Sequence, residues 1–185
     1  LNFLNAHPFI SVLLAFLVGI FISATAGYFL EKIAYRPLRK APRLILLITA
    51  IGASIFLQNL AMLLFGPQRK NVVNPDILDR GAGWIVSISG KDVLISYTGV
   101  FSLVLSALLM VALYIIVQRT KLGRAMRALA QDKNTAFLMG VDVDDVISKT
   151  FIISGILAGA AGVMWGIHMG LVNHYTGFLP GIKAF

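Results

Sequence analysis

Residues Phe151 to Val172 read FIISGILAGAAGVMWGIHMGLV, a run without an Asp, Glu, Lys or Arg. A helix rises about 1.5 Å per residue, so the run matches the roughly 30 Å hydrocarbon layer of a bilayer. Three runs of the same kind precede it, Phe9 to Leu30, Leu44 to Phe65 and Tyr97 to Val117. With 58% hydrophobic and 13% charged residues among 185, the chain lacks the polar surface that would cover four such helices in water. The expected fold is all-α integral membrane, with four transmembrane helices in a single domain over residues 1–185.

The basic residues orient these spans. Lys32, Arg36, Arg39, Lys40 and Arg43 crowd the connection between the first two runs, and Arg119, Lys121, Arg124, Arg127, Lys133 and Lys149 lie between the last two. Lys and Arg concentrate in cytoplasmic loops, so these two connections, including loop 118–149, face the cytoplasm. The N-terminus, loop 66–96 and the C-terminal tail then face outward. The net charge of +8 is a topology signal. Nucleic-acid binding would want the basic residues on a folded soluble face with interleaved aromatics, and no nucleic-acid partner is expected. The chain has no cysteine, which removes disulfides, thiolate metal sites and thiol catalysis together. Ala24-Thr25-Ala26 suggests a signal-peptidase site, but the positive charges follow the first apolar run instead of preceding it, so that run is a retained span.

Loop 66–96 carries turn signals at Gly66-Pro67 and Asn74-Pro75. Two alternating runs follow, Trp84 to Ser89 and Val93 to Ser96, separated by Gly90-Lys91-Asp92, which predicts a small outer β-hairpin. Trp84 and Tyr97 would sit at headgroup level. This hairpin is either a docking surface for an external partner or a plain lid. In the fourth run Gly155, Gly159, Gly162, Gly166 and Gly170 recur at spacings of four, three, four and four, a stripe that lets another backbone approach closely. Gln58 and Asn59 are the only amides in the four runs. They are candidates for a substrate path, or else bond between helices near the outer end of the second span.

Loop 118–149 is the most organised polar segment. Leu122, Ala125, Met126 and Leu129 share one face at helical spacing, and Arg124, Arg127 and Gln131 turn away from it. A second short helix over Asn134 to Met139 ends at Gly140, and Asp142 caps a third helix that runs into the fourth span. Helix, glycine turn, helix makes a compact knuckle. Physics alone leaves two uses open: lying on anionic lipid, or docking a partner.

The sequence GRAMRALAQDKNTAFLMGVDV, Gly123 to Val143, closely resembles the cytoplasmic loop of the inner-membrane permease subunits of branched-chain amino acid ABC importers. Tyr35 to Arg39 (YRPLR) and Gly177 to Phe185 (GFLPGIKAF) resemble the same family, and the likeness covers essentially the whole chain. The resemblance implies a coupling loop of Gly123, Arg124, Arg127, Asp132, Ala136 and Gly140, in which the helix around Ala136 to Gly140 sits in a groove of an ATP-hydrolysing subunit and Arg124, Arg127 and Asp132 lie close by. Thr135 stands where a second Ala is common, and Asn134 where an acid is common. It implies as partners two cytoplasmic ATPase subunits, a second permease subunit, homologous or identical, and an extracytoplasmic substrate-binding protein, all at a bacterial-type inner membrane. ATP would be bound by the partners and no cofactor by this chain, which has no Gly-rich Lys-Ser/Thr phosphate loop. Family members usually begin with additional spans and continue past Phe185, so the resemblance also implies a central fragment of a larger permease.

No catalytic site is expected. His7, His168 and His174 are too dispersed for a metal motif, and His168 and His174 suit an interfacial position. Capping accounts for Asp142, and solvation for Asp144 and Asp145. No span contains an acid, which argues against a proton-coupled carrier. The function expected is a non-enzymatic permease subunit for branched-chain amino acids or related small amides. A non-transporting scaffold that holds a soluble protein or anionic lipid through the basic loop is the alternative.

Overall fold

The computed structural model describes residues 8–38, 41–72, 83–88 and 91–184. Four long helices dominate: α1 (Pro8–Leu30), α2 (Arg43–Phe65), α3 (Tyr97–Arg119) and α6 (Val143–Met169), each long and apolar enough to cross a membrane. Between α3 and α6 lie two short helices, α4 (Lys121–Gln131) and α5 (Lys133–Leu138). A last helix, α7 (Phe178–Ala184), follows α6. Helices are the natural state for these runs, because hydrocarbon offers no partner for a free backbone N–H or C=O.

Two helices run beyond their apolar segments. α1 continues through a π-helical turn, Glu31–Tyr35, closed by the amide of Arg36 donating to the Glu31 carbonyl at 2.8 Å. α6 begins at Val143, ahead of the apolar run that opens at Phe151, and its 27 residues span about 40 Å. Its first two turns therefore stand outside a hydrocarbon layer of roughly 30 Å.

Strand pairing organises the opposite end. β1 (Lys70–Asn71) pairs antiparallel with β4 (Leu171–Val172), which brings the end of α2 beside the end of α6. β2 (Gly83–Ile88) pairs with β3 (Lys91–Ser96), and β3 runs directly into α3. The expected hairpin is present, but its second strand is longer than the alternation suggested. Ser87 faces Asp92 and Ile88 faces Lys91, so Lys91 and Asp92 belong to a strand. Antiparallel pairing recruits polar residues wherever the partner strand presents free backbone groups. The turn expected at Asn74-Pro75, the connector residue Gly90, the basic pair Arg39 and Lys40 and the Trp84 side chain lie outside what is described. The molecule thus has a hairpin end and a basic end, the latter carrying Lys32, Arg36 and the α4–α5 segment.

The tightest helix pair is α1 against α6. A Cβ added to Gly155 would stand 2.7 Å from the Ser23 carbonyl oxygen, one on Gly159 2.7 Å from that of Gly19, and one on Gly27 2.9 Å from that of Phe151. On α1 the contact runs Gly19, Ser23, Gly27; on α6 it runs Gly155, Gly159, Val163, whose Cγ2 meets Gly19. Both series step by four, so the i±4 ridges of the two helices interdigitate at nearly backbone distance. The edge-to-face pair Phe16–Phe101, 6.4 Å between centroids, adds α3 to the group. α2 presents most of its side chains outward, Leu44 and Leu63 among the most exposed.

Candidate functional site

The basic end is built around a small core of its own. Leu129 of α4, Ala136 of α5 and Val146 of α6 are buried together, with Leu122, Ala125, Met126 and Val141 packed on them. Burying Leu129 and Val146 contributes roughly 2 kcal/mol each. α5 has six residues and would not persist alone, so this core and its caps hold it.

Each helix of the knuckle starts on a side-chain cap. The Thr120 hydroxyl accepts from the Gly123 amide at 3.0 Å. Asp132 accepts from the Asn134 amide at 2.9 Å and from the Thr135 hydroxyl at 2.5 Å. Asp142 accepts from the amides of Asp144 and Asp145 at 3.0 and 3.1 Å. The Thr135 hydroxyl, helped by the Asn134 amide, holds the Asp132 carboxyl below its ordinary range.

α5 ends in a tight reversal. Gly140 has φ +82°, its amide donates to the Phe137 carbonyl at 3.0 Å, and the Val141 amide donates to the Ala136 carbonyl at 3.1 Å. This Schellman arrangement needs a left-handed residue, which glycine adopts without a Cβ penalty. It turns Phe137, Leu138 and Met139 outward, 68%, 83% and 80% exposed. Three consecutive large apolar side chains on a short, rigid helix form an exposed patch outside the apolar spans, the kind of surface that another molecule covers.

The remaining residues of the loop take structural positions around this patch. Gly123 is buried where α4 folds back on α3, and a Cβ there would overlap the carbonyl oxygens of Ile116 and Val117. Arg127 donates from Nη1 to the Val117 carbonyl and, at 3.1 Å, to Gln118 Oε1, closing the C-terminal end of α3. Arg124 is exposed. Of the six residues, Gly123, Arg127, Asp132, Ala136 and Gly140 shape the knuckle, and Arg124 alone stands free of its framework.

The other sequence candidates lie elsewhere. Gln58 donates to Ser54 Oγ at 3.2 Å and Asn59 to the Ile55 carbonyl at 2.8 Å, both within α2, so among the described residues the two amides bond to their own helix. The five glycines of the stripe occupy four kinds of place. Gly155 and Gly159 touch α1, a Cβ on Gly162 meets nothing within 4 Å, Gly166 faces Val72, just after β1, and Val172 of β4, and Gly170 (φ +69°) ends the helix.

Three contacts were not foreseen. Glu31 is 1% exposed, and Ser148 Oγ donates to its Oε2 at 2.8 Å. Arg36 Nη2 pairs with Asp144 Oδ2 at 2.8 Å, and Lys149 with Asp145 at 2.6 Å, so the two acids assigned to solvation are ion-paired. The signal available was that Glu31 is the single Glu of the chain, with no Asp before Asp76, set at the edge of an apolar run. The Glu31–Ser148 and Arg36–Asp144 contacts fasten α1 to the part of α6 that emerges from the knuckle core, and Lys149–Asp145 lies within α6.

The whole chain, residues 1–185, matches the family described as "Branched-chain amino acid transport system / permease component". The chain belongs to that family. This permease chain is 41% identical over 174 residues to the high-affinity branched-chain amino acid transport system permease protein BraD of Pseudomonas aeruginosa, covering 94% of the chain and 56% of the relative. It is 40% identical over 172 residues to the corresponding protein LivH of Escherichia coli K12, 92% of the chain and 54% of the relative. A shorter likeness, 38% over 78 residues, joins 42% of the chain to 23% of the D-allose transport system permease protein AlsC of the same bacterium. The chain spans about half the length of the curated relatives it matches over most of its own length. No solved structure matches it. With four membrane-capable helices and this family, the permease chain is a multi-pass membrane protein.

Proposed function

We propose that the chain is part of the permease subunit of an ATP-driven importer for branched-chain amino acids, seated in a bacterial inner membrane. Its relatives are named for that transport. The basic end faces the cytoplasm, where Lys and Arg concentrate, and the hairpin end faces the compartment from which a substrate-binding protein delivers the amino acid. ATP is hydrolysed by two partner subunits. A second permease subunit completes the membrane domain.

The observation that carries this reading is the rigid presentation of Phe137, Leu138 and Met139. A groove on an ATPase subunit would cover these side chains. When the ATPases close on ATP, α5 is pushed, and the Leu129–Ala136–Val146 core passes the push to α6 without an intervening linker. α1 follows, because it is packed on α6 at backbone distance along Gly155 and Gly159.

Gly140 gives a direct test. No atom lies within 4 Å of a Cβ placed there, but φ +82° strains any residue with a Cβ, so a Trp disturbs the α5 reversal without overpacking the core. In the full-length transporter Gly140→Trp should leave membrane insertion intact and abolish ATP-dependent uptake of leucine. Unchanged uptake in that variant would overturn the coupling role of α5.

A further inference from the structure

α3 and α6 do not close on each other along their whole length. In the half nearer the hairpin end they leave a cavity of about 410 Å³ that opens outward, with Ser106, Ala161, Trp165 and His168 exposed along it. Its polar lining consists of Ser102 and Ser106, one turn apart on α3, with Trp165 and His168 on α6. Between and below these lie aliphatic side chains, among them Leu157 and Ala161. The volume falls in the range of small-molecule sites, and the composition, an apolar wall with a few polar groups, is theirs too.

The hydroxyls set this cavity apart from the rest of the spans. Thr25, Thr49 and Thr150 each donate to the carbonyl four residues back, and Asn59 does the same with its amide. That bond is the ordinary way for a short polar side chain to be satisfied within a helix in lipid. Ser102, Ser106, Trp165 and His168 make no side-chain hydrogen bond among the described residues. Ser106, Trp165 and His168 are exposed along the opening, His168 near the interfacial end, and polar side chains facing the spans are costly unless water or a ligand bonds them.

We propose that this cavity is a substrate station, which receives a zwitterionic amino acid entering from the hairpin end. This deepens the importer reading and rests on it. The Ser hydroxyls, the indole N–H and the imidazole serve the polar backbone of the amino acid. A hydroxyl can donate to the carboxylate or accept from the ammonium, whereas the indole only donates and so suits the carboxylate. The aliphatic side chain lies against Leu157 and Ala161. None of the lining residues is an Asp, Glu, Lys or Arg, which suits a substrate of zero net charge that must also leave.

The absence of cysteine from residues 1–185 makes a clean labelling test. In the full-length transporter assembled with its partners, Ser106→Cys is exposed from the hairpin side to a charged, membrane-impermeant methanethiosulfonate. Labelling is read by mass on the peptide containing position 106. The cavity predicts labelling, slowed several-fold by saturating leucine. It also predicts that Ala161→Phe, which fills the space, raises the KM for leucine about tenfold or more. No labelling would mean a cavity open only to lipid, and labelling indifferent to leucine in a transporter that takes leucine up would mean a wet space off the path. Either result overturns the station alone. A transporter that carries no branched-chain amino acid overturns the importer reading, and the station with it.

Discussion

Glu31 and Ser148, 117 positions apart, meet at 2.8 Å where α1 and α6 leave the apolar layer together, with the carboxylate almost wholly shielded from solvent. One turn nearer the knuckle, Arg36 and Asp144 bridge the same two helices at 2.8 Å, each side chain about half exposed. The buried contact matters more, because an exposed pair contributes only about 0.2–1 kcal/mol. A hydrogen bond to a charged group contributes about 1.5–3 kcal/mol.

A double-mutant cycle separates the two contributions. Glu31→Ala and Ser148→Ala should each lower the Tm of the detergent-solubilised protein, and the double variant should lose less than their sum, with a coupling of about 1–2 kcal/mol. Arg36→Ala should cost less than either. Strict additivity of Glu31→Ala and Ser148→Ala would contradict the contact.

Two glycines of α6 should behave oppositely. At Gly155 a new methyl group meets the Ser23 carbonyl and the Ala24 backbone at 2.7 and 2.8 Å, which cannot move without parting the helices. Gly155→Ala should cost about 1–3 kcal/mol by overpacking. Gly162→Ala, with open space before it, should be neutral or slightly stabilising through helix propensity. Thermal unfolding in one detergent compares the two directly, and equal losses would contradict the described crossing.

The four spans were legible because charge-free runs of bilayer-crossing length leave few other structures, and the knuckle because its apolar spacing, Gly140 and Asp142 agree locally. The glycine stripe was legible only in part. On an isolated helix all five glycines fall near one face, but α1 crosses along the series Gly155, Gly159, Val163, which leaves Gly162 aside. Which ridge a partner follows is a property of the pair. The Glu31–Ser148 contact and the cavity at Ser102 and His168 also depend on which helices become neighbours. No local pattern encodes that.

Asp132 gives the knuckle a pH dependence of known sign. The bonds from Thr135 and Asn134 lower its carboxyl pKa in the folded state, so its stabilising contribution is present above the unfolded pKa and is lost as pH falls through the lower, folded one. Between neutral pH and pH about 5 the cap should therefore be constant. Protection of the Asn134 amide from hydrogen exchange should fall only in stronger acid, and Asp132→Asn, which keeps a capping oxygen, should remove that acid dependence. Loss of protection already near pH 6 would contradict the cap as described.

The most direct test of the account falls on Leu138. Its side chain is 83% exposed and lies outside the Leu129–Ala136–Val146 core, so replacing it leaves the knuckle intact. In the full-length transporter, Leu138→Glu should insert normally and keep its thermal stability, yet fail to co-purify with the ATPase subunits and lose leucine uptake. Wild-type uptake together with wild-type ATPase retention would contradict the claim that the α5 tip is where ATP-driven motion enters the membrane domain.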